Sequence, residues 1–286
     1  MQHSFTADSV SSYRVSVGGE WAAAWTFPAM SAAFVVLAAM ETHQPRDRGT
    51  AAGLRWITNF CLFGAGISCV AVLAPHRLAG LLLGGWSGGP LAVLTQYANP
   101  WLVLAVDLIL LDALSYALHR LQHRHPFWRF HAVHHADEQV DLTTGLRHHP
   151  GEALVNAAVG GAVLTLLGLP PWAVAAYGML APVFDMWTHV NFALSPRLER
   201  MLSAVIVTPG VHRVHHSDDP ADYGANFGGI LTIWDRIFST WRPPTQTRLR
   251  FGLGTAGSPG VLHALIDPFR LPQKQVEPAR QQPPGK

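Results

Sequence analysis

The chain has 286 residues and a formal net charge of +2, with 49% hydrophobic residues against 13% charged. A soluble domain carries about 25% charged residues, so there is too little polar surface here for a water-soluble globule. The balanced charge, with no basic run interleaved with aromatics, excludes a nucleic-acid partner. Cys61 and Cys69 are the only cysteines and lie in apolar sequence, which excludes a disulfide framework and a thiolate metal site.

Residues 1–18 read as a flexible N-terminus. Residues 19–99 read as an N-terminal transmembrane region, because Trp21–Met40 and Trp56–Pro75 are charge-free and each can cross a bilayer, which takes about 20 apolar residues. The first run starts too late and is too long for a cleavable signal peptide. Leu78–Asn99 is apolar but rich in glycine and reads as an interfacial or re-entrant piece; a full crossing there would invert everything downstream. Pro100–Leu118 is a third span, interrupted only by Asp107 and Asp112. Ala153–Phe184 has no charge but is broken by Pro170 and Pro171, the pattern of a hairpin that dips into the membrane and returns. Arg197–Ile206 and Ile230–Trp241 read as amphipathic helices at the membrane surface. Residues 242–286, rich in Pro, Gln and Gly, form a C-terminal segment with a disordered end. The expected fold is an all-α, multi-pass integral membrane helical bundle.

Arginine placement orients it. Arg46, Arg48 and Arg55 follow the first span, against Arg14 before it and Arg77 after the second. The excess places the 41–55 loop in the cytoplasm, and the histidine-rich segment after the third span, with Arg120, Arg124, Arg129 and Arg147, emerges on the same side. Lysine occurs only at Lys274 and Lys286 while arginine is frequent, which points to a GC-rich bacterial genome, and the spans then lead one to expect a bacterial inner membrane.

Histidine is the chemical signal. The chain holds 16, and 12 of them lie between His119 and His216. His119 and His123 are four apart at the end of the third span and share a face, with Tyr116 and Asp112 on the same stripe. Pro126 should open a new helix carrying His131, His134 and His135 at i, i+3 and i+4. His212, His215 and His216 repeat that spacing on a third helix. Eight imidazoles aimed at a common centre exceed the four to six ligands one metal accepts, so the pattern implies two metals, of a kind that suits neutral imidazole: Zn, Cu, Fe or Ni. Lone histidines such as His3, His43, His76 and His263 carry no such signal, and His125 lies off the His119/His123 face. Ligating imidazoles donate their second N–H to a carboxylate or carbonyl. Asp112, Asp141, Glu152, Asp218 and Asp235 are the carboxylates near the boxes. Asp112 is the best placed, since an acid inside an apolar span needs a partner; Asp235 suits a plain ion pair with Arg236 equally well.

The boxes His119-Arg-Leu-Gln-His123, His131-Ala-Val-His134-His135 and His212-Arg-Val-His215-His216 resemble those of the fatty acid hydroxylase/sterol desaturase superfamily of membrane di-iron oxygenases. The likeness extends to LLDALSYALHRLQH, DLTTGLRHHPGE, TPGVHRVHH and NFGGILTIWDRIFSTW, and covers about Pro100 to Phe269. It implies that residues 100–241 are a catalytic domain and that His189, in the run His189-Val-Asn191, joins the other eight histidines as a metal ligand with Asn191 beside it. Some branches have a histidine four residues earlier, where this chain has Asp185; on a helix starting after Pro182, Asp185 would share a face with His189 and either bind metal or orient that ring. His149, before Pro-x-Glu152, is expected beside the ligands, and His148 is expected to be incidental. The resemblance also implies two iron ions, O2 as co-substrate, and an external electron donor (a ferredoxin, cytochrome or reductase), since no flavin or nicotinamide fingerprint is present. The implied reaction is hydroxylation or desaturation of a lipid C–H bond. The alternatives are a membrane zinc-dependent hydrolase, which needs only about three protein ligands per metal, and a metal-binding or transport protein, whose ligands would step across the bilayer instead of crowding at one face.

Overall fold

The computed structural model describes residues 25, 27–48, 53–73, 90–91, 99–245, 247–254 and 260–270. Among them the chain is helical, with isolated bridges and no strand. Helix α1 (Phe27–His43) is followed by α2 (Gly53–Leu73), α3 (Pro100–Gln122) and α4 (Trp128–His135). A 3-10 turn (Leu142–Leu146) leads to α5 (Pro150–Leu167) and α6 (Pro171–His189). Short helices α7 (Pro196–Leu202), α8 (Pro209–His215), α9 (Pro220–Tyr223) and α10 (Ile233–Ile237) come next, and α11 (Val261–Arg270) closes the described chain.

Helices α2, α3 and α5 are long and apolar enough to cross a membrane by length and composition. The glycine-rich stretch at 78–99, the first 18 residues and the end of the C-terminal segment lie outside the described residues, apart from 90–91 and Asn99. The charge-free stretch at 153–184 is a hairpin. Its first helix is capped by Gly168 in the left-handed conformation (φ 71°), whose N–H bonds to the carbonyls of Leu164 and Thr165. Both open ends, at His149 and His189, therefore sit on the histidine side. No break follows Pro182, which is built into a continuous α6; one lost backbone bond is tolerated where neighbouring helices pack around it.

Burial is inverted relative to a soluble protein. Val72, Trp101, Leu102 and Leu166 are exposed along the spans, while Arg147, Arg213 and five of the box and loop histidines are among the largest fully buried side chains. The polar interior is braced by paired groups, as buried charge requires. Arg55 pairs with Asp137 at 2.5 Å and with Asp141. The Arg147 Nε donates to Val133 O and its Nη1 to Asn59 Oδ1. Glu41 accepts from the backbone of Leu142 and Asn191, each at 2.8 Å. These bonds pin Glu41 and Arg55 onto the histidine layer. One element was not expected: residues 261–270, within the Pro-, Gln- and Gly-rich C-terminal segment, form α11, which packs on α2 and α4 with Ala264 buried.

Candidate metal centre

Three helix ends and one hairpin end deliver the histidines. Helix α3 supplies His119 and, as its C-cap, His123. Helix α4 begins at Trp128, two residues beyond Pro126, and carries His131, His134 and His135. Helix α8 starts at Thr208, whose hydroxyl accepts from Val211 N, with Pro209 in the first turn. His189 ends α6.

All nine expected histidines converge, and they sort into two groups whose ligand atoms lie within 4.8 Å of one another. His119, His123, His131, His135 and His215 make one; His134, His189, His212 and His216 make the other. The i,i+4 pair of each HxxHH box serves one group, and the residue at i+3, about 60° around the helix in the other direction, crosses to the second. The pairing is reciprocal between boxes: α4 gives two rings to the first group and one to the second, α8 one and two. The groups abut, since His135 stacks on His216 with ring centroids 4.6 Å apart.

The donor set fits metal ions. Metal–nitrogen bonds of about 2.1 Å separate neighbouring donor atoms by about 3.0–3.4 Å. The Nε2 atom of His189 is 2.9 Å from that of His216, 3.0 Å from His212 and 3.2 Å from His134. His119 and His131 meet Nε2 to Nε2 at 3.2 Å. One proton cannot satisfy so many lone pairs at one point. His123 (both nitrogens), His135 Nε2 and His215 Nε2 are buried without a partner among the described residues, which costs about 1–3 kcal/mol each unless a cation takes them. Burial first, and neighbouring imidazoles second, hold His134, His135, His212, His215 and His216 well below the usual histidine range; burial pushes His189 down to about 4. The rings are neutral, and their lone pairs are free to ligate.

Four rings are aimed by their second nitrogen. His119 Nδ1 donates to Phe227 O at 2.9 Å, His215 Nδ1 to Ala225 O at 2.6 Å and His189 Nδ1 to Asp185 O at 2.6 Å. His131 Nδ1 lies 3.1 Å from Glu152 Oε1, the carboxylate–histidine pair. Phe227, 1% exposed, packs edge-on against His119, His123 and His215 and seals that side against water.

Other expected partners are placed differently. Asp112 reaches no histidine: its carboxylate accepts from Ile230 N, Leu231 N, Trp234 Nε1 and Tyr177 Oη, so its buried charge is satisfied by the 230–234 turn. Tyr116 bonds Thr240 through its hydroxyl. Asp235 accepts from Phe227 N, Gly228 N and Thr240 Oγ1 and makes no pair with Arg236; it fixes the loop whose carbonyls hold His119 and His215. Asn191 exchanges hydrogen bonds with Asp47. His149 caps α5 through Nδ1 and turns Nε2 to Leu265 O, away from both groups. The Asp185 carboxylate is 47% exposed and 3.8 Å from His148; only its carbonyl serves His189.

His148 is the residue that sequence reasoning passed over. Its ring stacks on His134 (4.7 Å, 12°), and its Nδ1 lies 2.9 Å from Glu152 Oε1. Burial works against its charge, but the Glu152 and Asp185 carboxylates outweigh it and raise His148 well above the usual range. The signal was its i,i+4 spacing to Glu152.

Residues 104–240 match the fatty acid hydroxylase family. Over that stretch, just under half of its length, the chain is similar to that family. An ornithine lipid hydroxylase of Rhizobium tropici is 31% identical over 176 residues, covering 60% of this chain and 52% of its own length. An alkylglycerol monooxygenase of Danio rerio is 33% identical over 145 residues, 50% of this chain and 31% of its own. A very-long-chain aldehyde decarbonylase of Oryza sativa is 27% identical over 150 residues, 51% and 57%. The chain thus spans about half the length of the first relative and about a third of the second. No solved structure matches it.

Proposed function

We propose that this chain is a membrane-bound, non-haem di-iron oxygenase that uses O2 and external electrons to hydroxylate or desaturate a lipid C–H bond, with residues 100–241 as its catalytic unit. The observation that carries the reading is the pair of abutting, all-histidine groups buried beneath apolar helices. Supporting it, the relatives matched are a lipid hydroxylase, a lipid monooxygenase and a fatty-aldehyde enzyme.

His119, His123, His131, His135 and His215 would hold one iron and His134, His189, His212 and His216 the other. The irons would supply O2-activating redox chemistry that no side chain can. The chain's own part is positioning and exclusion. Glu152 holds the proton on His131 Nδ1, the carbonyls of Asp185, Ala225 and Phe227 fix three more tautomers, and Phe227 and Trp128 keep water from the first group. The four-histidine group would hold its iron with one protein ligand fewer than the first.

The electron donor is a separate ferredoxin, cytochrome or reductase. A polar cleft of about 450 Å³ is lined by Arg46, Arg48, Arg213 and Arg248 together with Asp47 and Glu199; Arg213 adjoins His212 in sequence. The chain is multi-pass in a bacterial inner membrane with the boxes cytoplasmic, a reading supported by the 41–55 arginines, which fold onto the histidine layer through Arg55 and Arg46.

The test is purified protein loaded with Fe(II) and given O2, reductant and a membrane lipid extract. A lipid that gains one oxygen atom or loses two hydrogens supports the reading. Hydrolysis products, formed equally well with zinc and without O2, contradict it.

A further inference from the structure

Outside the metal centre, a slot of about 440 Å³ runs along α3 on the face turned away from the histidines. Ala113 and Ala117, one turn apart, form one wall because their side chains are too small to fill it; Trp234 and Phe238 form the other. Arg120 and Arg124 stand together at one end, at the C-terminal end of the span, and neither makes an ion pair among the described residues. Arg120 lies over the Phe238 ring at 6.0 Å. The charge of Arg120 reaches Asp235, but that carboxylate is buried and hydrogen-bonded to Phe227 N, Gly228 N and Thr240 Oγ1. From Ala113 to Arg124 the slot extends about 16 Å at the helical rise.

We propose that this slot binds an anionic membrane lipid, its phosphate held by Arg120 and Arg124 and the start of an acyl chain lying between the alanines and the aromatics. Three observations carry this. The two arginines sit where a span leaves the bilayer core, at headgroup depth. Neither has an ion-pair partner among the described residues, and paired guanidinium groups suit phosphate. The slot opens beside Ile233 and Ile237, which are 45% and 58% exposed, so its mouth faces lipid instead of water. Tyr116 forms its inner wall and packs edge-on against Phe227, which touches His119. The bound lipid would lie one aromatic layer from the first histidine group without entering it.

The test is native mass spectrometry of detergent-purified full-length chain incubated with dioleoyl phosphatidylglycerol or dioleoyl phosphatidylcholine. Wild type should retain one phosphatidylglycerol in preference to phosphatidylcholine, and inorganic phosphate should not displace it. The double variant R120Q/R124Q should lose that preference by about tenfold or more, the scale of lost charge-assisted bonds. Ala117→Leu, which keeps both charges but fills the slot, should lose occupancy as well. R197Q/R200Q on α7 removes an equal surface charge and should change nothing. R124Q alters one exposed side chain and serves if the double variant does not purify as a monodisperse species; it should weaken retention measurably. Unchanged phosphatidylglycerol retention in R120Q/R124Q, in R124Q or in Ala117→Leu, or an equal loss in R197Q/R200Q, overturns the proposal.

Discussion

The two histidine groups are built from the same boxes but are held differently. In the five-histidine group, His119, His131 and His215 each have their second nitrogen anchored, to Phe227 O, Glu152 and Ala225 O. In the four-histidine group only His189 is anchored, to Asp185 O, while Nδ1 of His134, His212 and His216 has no partner among the described residues. Anchored rings keep their aim when the metal changes its other ligands. The first group is a rigid holder, and the second, with fewer ligands and freer rings, is where ligand exchange costs least.

His189→Ala should have the largest effect, because its Nε2 lies within 3.2 Å of three other donors and no other ring of that group is anchored. Turnover should vanish and metal content fall from two ions per chain to one, read by elemental analysis. Retention of both ions would show that the groups are not separable sites.

Glu152→Ala should act on the other group. Loss of a carboxylate behind a ligating imidazole costs about 10–100-fold in metal affinity. Glu152→Gln keeps an acceptor for His131 and should recover part of it; competition with a chelator measures both. An equal loss from the two groups would break the distinction drawn here.

Acid should release metal and destabilise the fold together. His134, His135, His212, His215 and His216 have folded-state values well below the ordinary 6.5, and His189 is at about 4. Protonation then favours the unfolded chain, so stability is intact above pH 6.5 and is lost as pH falls toward 4. Thermal melts of the metal-free protein at stepped pH should show this, and a flat profile from pH 7 to 4.5 would argue against buried neutral rings.

Asp185→Asn should be nearly silent, with metal content and O2 consumption within about twofold of wild type, the scale of a surface substitution. Only the carbonyl of residue 185 is used, and substitution leaves it in place. Loss of a metal in this variant would restore the carboxylate as a ligand.

Helical spacing made the nine histidines legible, because i, i+3 and i+4 define a face whatever the tertiary fold. It could not show which ring goes to which group, since that depends on the crossing of α4 and α8. Asp112 was read as a histidine partner from the cost of an acid in a span. The cost is real, but the 230–234 turn, remote in sequence, meets it. His148 escaped because its i,i+4 spacing to Glu152 points only to a local pair, while its stacking on His134 depends on the tertiary fold. Helix α11 escaped because it sits beside a Pro-rich tail and contains Pro268.

The central claim is two metals in two adjacent histidine groups, and iron stoichiometry tests it most directly. Full-length protein purified anaerobically, loaded with Fe(II) and freed of excess should hold two irons per chain, giving one spin-coupled pair by Mössbauer spectroscopy after exposure to air. One iron or none per chain, or two irons with uncoupled spectra, would contradict the account.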